Sequence, residues 1–110
     1  MKQYRIDELR LAEYDKIKKY LDDHFSSSDF GGLYWIPLDD DLLTDVQASH
    51  AECRPFFFAV ELEETCISFE LLVRTKERIR CDCIVYATEV QRNWLIRIVD
   101  SMFEQLDIIA

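Results

Sequence analysis

Between Asp7 and Phe25, the residues Tyr14, Ile17, Leu21 and His24 recur at spacings of three and four, with Glu13, Asp15, Lys16, Lys18 and Lys19 between them. That spacing predicts an amphipathic helix with one face turned to a core. Asp7 is its candidate N-cap, with Glu8 in the first turn, and Ser26-Ser27-Ser28-Asp29 is expected to end it in a polar loop. Gly31-Gly32 then opens Leu33-Tyr34-Trp35-Ile36-Pro37-Leu38, whose aromatic and β-branched residues predict a short strand with Pro37 at its exit. Asp39-Asp40-Asp41 reads as a turn. Thr44 and Gln47 have the spacing of a capping box and predict a short helix running to about Glu52.

From Pro55 the period changes to two. Phe56, Phe58, Val60 and Leu62 alternate with Phe57, Ala59 and Glu61; Ile67, Phe69, Leu71 and Val73 follow, then Ile79, Cys81, Cys83 and Val85. Three consecutive strands of an antiparallel meander are expected. Parity fixes the register, because a one-residue slip sends every apolar side chain to the wrong face. The first hairpin must pair even with odd positions, which a two-residue turn at Glu63-Glu64 or Glu64-Thr65 provides; the second must pair odd with odd, which takes an odd loop or a bulge. The opposite face is half polar, with Glu61, Glu70, Arg80 and Asp82 beside Phe57, Leu72, Ile84 and Tyr86.

The last element opens on a second capping-box spacing, Thr88 with Gln91, and runs to about Asp107. Its apolar residues, Trp94 to Leu106, spread over roughly 200°, wider than the ~100° stripe a surface helix needs. The surplus, carried by Ile96, Val99 and Phe103, is the expected face of a homodimer. The expected fold class is α+β, a single domain over residues 1–110. A three- to four-stranded antiparallel meander carries the N- and C-terminal helices packed on one face.

Composition narrows the function. The chain has 110 residues and a formal charge of −9, which disfavours duplex nucleic acid and anionic membranes, since both are bound through Lys and Arg. No apolar run approaches the ~20 residues that span a bilayer, and Met1 to Asp7 lacks a signal-peptide centre, so a cytoplasmic protein is expected. In that compartment the four cysteines stay free rather than pairing as two disulfides.

Cys81-Asp82-Cys83, if on a strand, points both thiols to one face. Cys53, Cys66, His24 and His50 supply further candidate ligands for a tetrahedral zinc ion. The spacing argues against it: structural sites favour C-x(2–4)-C pairs on turns, and Cys66 falls on the other strand face. The thiols are therefore read as small core hydrophobes, and no metal or cofactor is assigned. The Asp39, Asp40, Asp41 and Asp45 cluster lacks the spacing and glycine of a calcium loop. Glu61, Glu70 and Asp82 are read as cross-strand partners of nearby arginines rather than a hydrolase pair.

Arg74, Lys76, Arg78 and Arg80, with Glu77 among them, form one basic island of net +3. With Phe57, Leu72, Ile84 and Tyr86 they are the candidate partner-binding residues. No catalytic constellation emerges. The expected function is a non-enzymatic interaction domain, acting as a homodimer and binding a second, basic protein. The competing reading is a small-molecule or metal-binding domain, with enzymatic activity at an aromatic pocket formed by His24, Tyr34 and Trp35.

Overall fold

A computed structural model describes residues 2–27, 31–75 and 81–108. In chain order the elements are β1 (Gln3–Ile6), α1 (Leu11–His24), β2 (Ser26–Ser27), β3 (Leu33–Pro37), α2 (Asp45–Ser49), β4 (Phe56–Leu62), β5 (Ile67–Glu70), β6 (Arg74–Thr75) and α3 (Glu89–Gln105). Single 3-10 turns at Asp40–Leu42 and Ala51–Cys53 flank α2. The strands form one antiparallel sheet in the order β1-β5-β4-β3-β2, with β6 also pairing with β4. The α+β class and the antiparallel sheet follow the expectation from the alternation of Phe56 to Leu71.

Register explains the core. Val60 lies opposite Phe69 and Tyr34, Leu62 opposite Ile67, Ile36 opposite Phe58, and Tyr4 opposite Phe69. One sheet face therefore gathers Tyr4, Tyr34, Ile36, Phe58, Val60, Leu62, Ile67 and Phe69, and α1 and α3 cover it. Helix α1 buries Ile17 and Leu21 there, and α3 buries Leu95, Val99, Met102 and Phe103. Phe58 is fully buried and stacks on Trp94, ring centroids 6.3 Å apart. Glu63 N–H donates to Cys66 C=O at 2.8 Å, so the β4–β5 turn is the two-residue Glu64-Thr65 turn that parity requires. Gly32 has φ +87°, and a Cβ there would stand 2.8 Å from the Leu62 carbonyl oxygen; only glycine fits that approach.

Several expectations change. The chain start is a strand, since Gln3 to Ile6 pair with β5. Helix α1 begins at Leu11 with Arg10 at the N-cap, its N–H donating to Glu13 Oε1 at 2.9 Å. Asp7 is not its cap and instead accepts from Arg5 Nε at 2.8 Å. Ser26-Ser27 is not loop but pairs with Trp35 and Tyr34.

The third meander strand is replaced. Residues 76–80 lie outside those described, and Cys81–Cys83 is a turn closed by Ile84 N–H donating to Cys81 C=O at 3.0 Å. Beyond it a single bridge, Leu72 opposite Tyr86, keeps the expected parity without a ladder. The reason lies at Leu71 to Val73. Phe57 pairs with Arg74, two residues beyond the register that Val60 and Phe69 set, so the chain bulges away from β4 between β5 and β6. There Val73 and Ala87 N–H groups bond to Val85 and Leu71 carbonyls.

Candidate metal centre

Two turns distant in sequence face each other at the end of the sheet. One is the 3-10 turn after α2, closed by Cys53 N–H donating to His50 C=O at 2.9 Å; the other is the Cys81–Cys83 turn. One ligand atom from each of His50, Cys53, Cys81 and Cys83 lies within 4.8 Å of all the others. Cys53 Sγ is 3.7 Å from Cys81 Sγ, and His50 Nδ1 is 3.0 Å from Cys81 Sγ. A tetrahedron with metal–sulfur bonds of about 2.3 Å has edges of about 3.8 Å. Cys53 and Cys81 already stand at that separation, and no pair in the cluster has more than about 1 Å to close. Cys53 and Cys83 are fully buried, while Cys81 and His50 are half-exposed, which leaves a path for an ion to enter.

The electrostatics suit a cation. The Cys83 backbone N–H aims at Cys81 Sγ and, with help from the Cys83, Cys53 and His50 side chains, brings the Cys81 thiol down to about 7. Burial pushes Cys83 up to about 12, with the neighbouring thiols adding to the shift. One thiolate is thus stable here alone, whereas three together require a positive charge at their centre.

The surroundings hold the turns in place. Thr75 Oγ1 donates to the Cys53 carbonyl. Gln47 Nε2 donates to the Cys83 carbonyl at 3.2 Å, and Gln91 Nε2 donates to Gln47 Oε1 at 2.9 Å and to the Leu42 carbonyl at 2.8 Å. Both glutamines are fully buried, and each also closes its own capping box, on Thr44 and Thr88. The starts of α2 and α3 and the Cys81–Cys83 turn are therefore one hydrogen-bonded unit in which no buried side-chain polar atom of the described residues lacks a partner.

The expectation that the C-x-C pair lies on a strand is corrected: the pair forms a turn, the context that metal-ligand spacing favours. Cys66 stands apart, donating to Glu63 Oε2 at 3.1 Å. His24 does too, with its ring stacked on Tyr20 at 4.0 Å.

The residues expected to form an aromatic pocket do not converge. Tyr34 is in the core, Trp35 is on the opposite sheet face edge-on to Phe57 at 6.1 Å, and His24 is at the end of α1, so they form no aromatic pocket. Val99 and Phe103 lie in the chain's own core, and Ile96 is half-buried. Arg74 forks onto Glu70, its Nη2 3.2 Å from Oε2, and Ile84 packs against the core. Leu72 is half-buried, and Tyr86 is exposed under Lys2 Nζ, 5.3 Å from its ring centroid. Lys76, Arg78 and Arg80 lie outside the described residues. No described helix is long and apolar enough to cross a membrane.

Tyr34 carries a pH signature. Its O–H donates to Asp22 Oδ1 at 2.6 Å, and burial, then this bond, push the phenol from 10.0 up to about 12. The neutral phenol therefore stabilises the fold fully below the unfolded value of 10.0, and that contribution is lost as pH rises through about 12. Tyr34→Phe should cost about 1 kcal/mol at neutral pH and flatten the alkaline fall in urea-unfolding stability. An unchanged alkaline fall in the variant would assign it to another group. The chain matches no protein-family model, no curated protein and no solved structure.

Proposed function

We propose that the protein is a zinc-binding module in which His50, Cys53, Cys81 and Cys83 supply a complete four-ligand set. The single observation carrying this reading is the convergence of those four ligand atoms within 4.8 Å. Thiolate with imidazole is a soft donor set that suits zinc and excludes the oxygen-loving cations calcium and magnesium. Four protein ligands close the coordination sphere, whereas catalytic zinc keeps a position open for water. The ion accordingly acts as a staple that ties the α2 turn to the segment leading into α3, and the module serves as a binding scaffold rather than an enzyme.

Cobalt(II) titration of the reduced protein tests the reading. Thiolate-to-cobalt charge-transfer bands and intense tetrahedral d–d bands should saturate at one equivalent and vanish when zinc is added. A weak octahedral spectrum at all cobalt concentrations would overturn it.

A further inference from the structure

A groove of about 480 Å³ runs between β1 and the C-terminal half of α3. Its apolar floor is Phe103 and Ile108, both nearly buried. The helix terminus fixes that floor. Asp107 adopts φ 57°, Ile108 N–H donates to Phe103 C=O at 2.9 Å, and Asp107 N–H donates to Glu104 C=O at 3.1 Å, the two bonds of a Schellman motif. The rim carries the carboxylates of Asp7, Asp100 and Glu104 against one cation, Arg5, which already pairs with Asp7.

Among the described residues the other wall is an edge strand, since β1 ends the strand order. Leu71 N–H donates to Lys2 C=O at 3.1 Å. In an antiparallel ladder hydrogen-bonded positions alternate, so Lys2, Tyr4 and Ile6 turn their backbone groups to β5. Gln3 and Arg5 turn their N–H and C=O groups outward, along the groove. Two backbone donors and two acceptors thus stand beside an apolar floor with an acidic rim.

We propose that this edge takes up an extended segment of a partner protein as a further strand, with an apolar side chain over Phe103 and Ile108 and basic side chains meeting Asp100 and Glu104. Strand addition supplies affinity through the main chain, and the pockets for alternate side chains select the sequence. The charge of the rim selects against a second copy of this chain. Pairing β1 with its own image would bring Asp100 and Glu104 of both copies together on one face of the joined sheet. The proposal is independent of the metal.

The test is NMR titration of the isotope-labelled protein with the blocked hexapeptide Lys-Thr-Val-Thr-Lys-Thr, which puts Lys, Val and Lys on one strand face. The amides of Gln3 and Arg5 should shift saturably and gain protection from exchange. Affinity should fall about tenfold from low to physiological salt, because rim charges are screened. The exposed pair Asp100→Lys with Glu104→Lys should lose at least about tenfold, and Arg5→Pro, which removes an outward N–H that the sheet does not use, should abolish the shifts. The proposal is overturned if the peptide produces no saturable shifts, or if binding survives the charge reversal. It is equally overturned if light scattering finds a dimer of 13.1-kDa chains that Arg5→Pro dissociates, because the edge would then belong to a second copy.

Discussion

Cys83→Ser is expected to weaken zinc binding severely and to shrink the zinc-dependent rise in melting temperature, while Cys66→Ser should leave both unchanged. Cys83 is a fully buried member of the cluster, and Cys66 donates to Glu63 outside it. Structural zinc contributes on the order of 10–16 kcal/mol of apparent binding energy, and a serine oxygen is a poor fourth ligand for a thiolate site, so the variant should lose more than about a hundredfold in affinity. Since only the folded chain assembles the four ligands, that loss appears directly as lost stability. Calorimetric titration with zinc and thermal unfolding at saturating zinc read both effects. Equal zinc affinity in Cys83→Ser and wild type, or loss of zinc in Cys66→Ser, would remove the cluster from consideration as the site.

Phe58→Ala is expected to cost about 3–5 kcal/mol, a large part of the ~5–15 kcal/mol that holds a domain of this size folded. Phe58 sits at the centre of β4 with no exposed surface, opposite Ile36 and stacked on Trp94 of α3. Its ring is one of the contacts between the sheet and the C-terminal helix, and in a close-packed core its neighbours fill the space it leaves only in part. Leu11→Ala provides the contrast: Leu11 is 68% exposed at the start of α1 and should change stability by no more than about 0.5 kcal/mol. Urea unfolding separates the two. A cost below about 1 kcal/mol for Phe58→Ala would mean that the sheet and α3 are not packed as described.

Long periodicity made most of the fold legible, with Ile79 to Val85 the exception. The alternation from Phe56 to Phe69 announced β4, β5 and their two-residue turn, and the Thr44/Gln47 and Thr88/Gln91 spacings located the starts of α2 and α3. Short edge strands were not legible. Gln3 to Ile6 shows one cycle and a half of polar–apolar alternation, and Ser26-Ser27 shows none, because both are strands only through the partners they find. The width of the apolar arc on α3 was legible, but how much of it the chain itself buries was not: Val99 and Phe103 join its own core.

The four-ligand cluster was set aside for a related reason. Alternation carried Ile79 to Val85 into a strand, and a strand would place Cys81 and Cys83 in a flat row. The bulge at Leu71 to Val73 and the bonds from Gln47 and Gln91 turn that segment toward His50 and Cys53. The available signal was the pairing of H-x2-C with C-x-C, two short-spaced ligand pairs that only a tertiary fold can join. That the glutamines of both capping boxes bond to each other beneath the site is a fact of packing that no local pattern encodes.

The most direct test of the account is native mass spectrometry of the reduced protein purified from zinc-supplemented cells. The reduced protein should appear as a 13.1-kDa chain carrying one zinc, each charge state gaining one Zn²⁺ in place of two protons. A chain that stays metal-free, even after equilibration with excess zinc under reducing conditions, would contradict it.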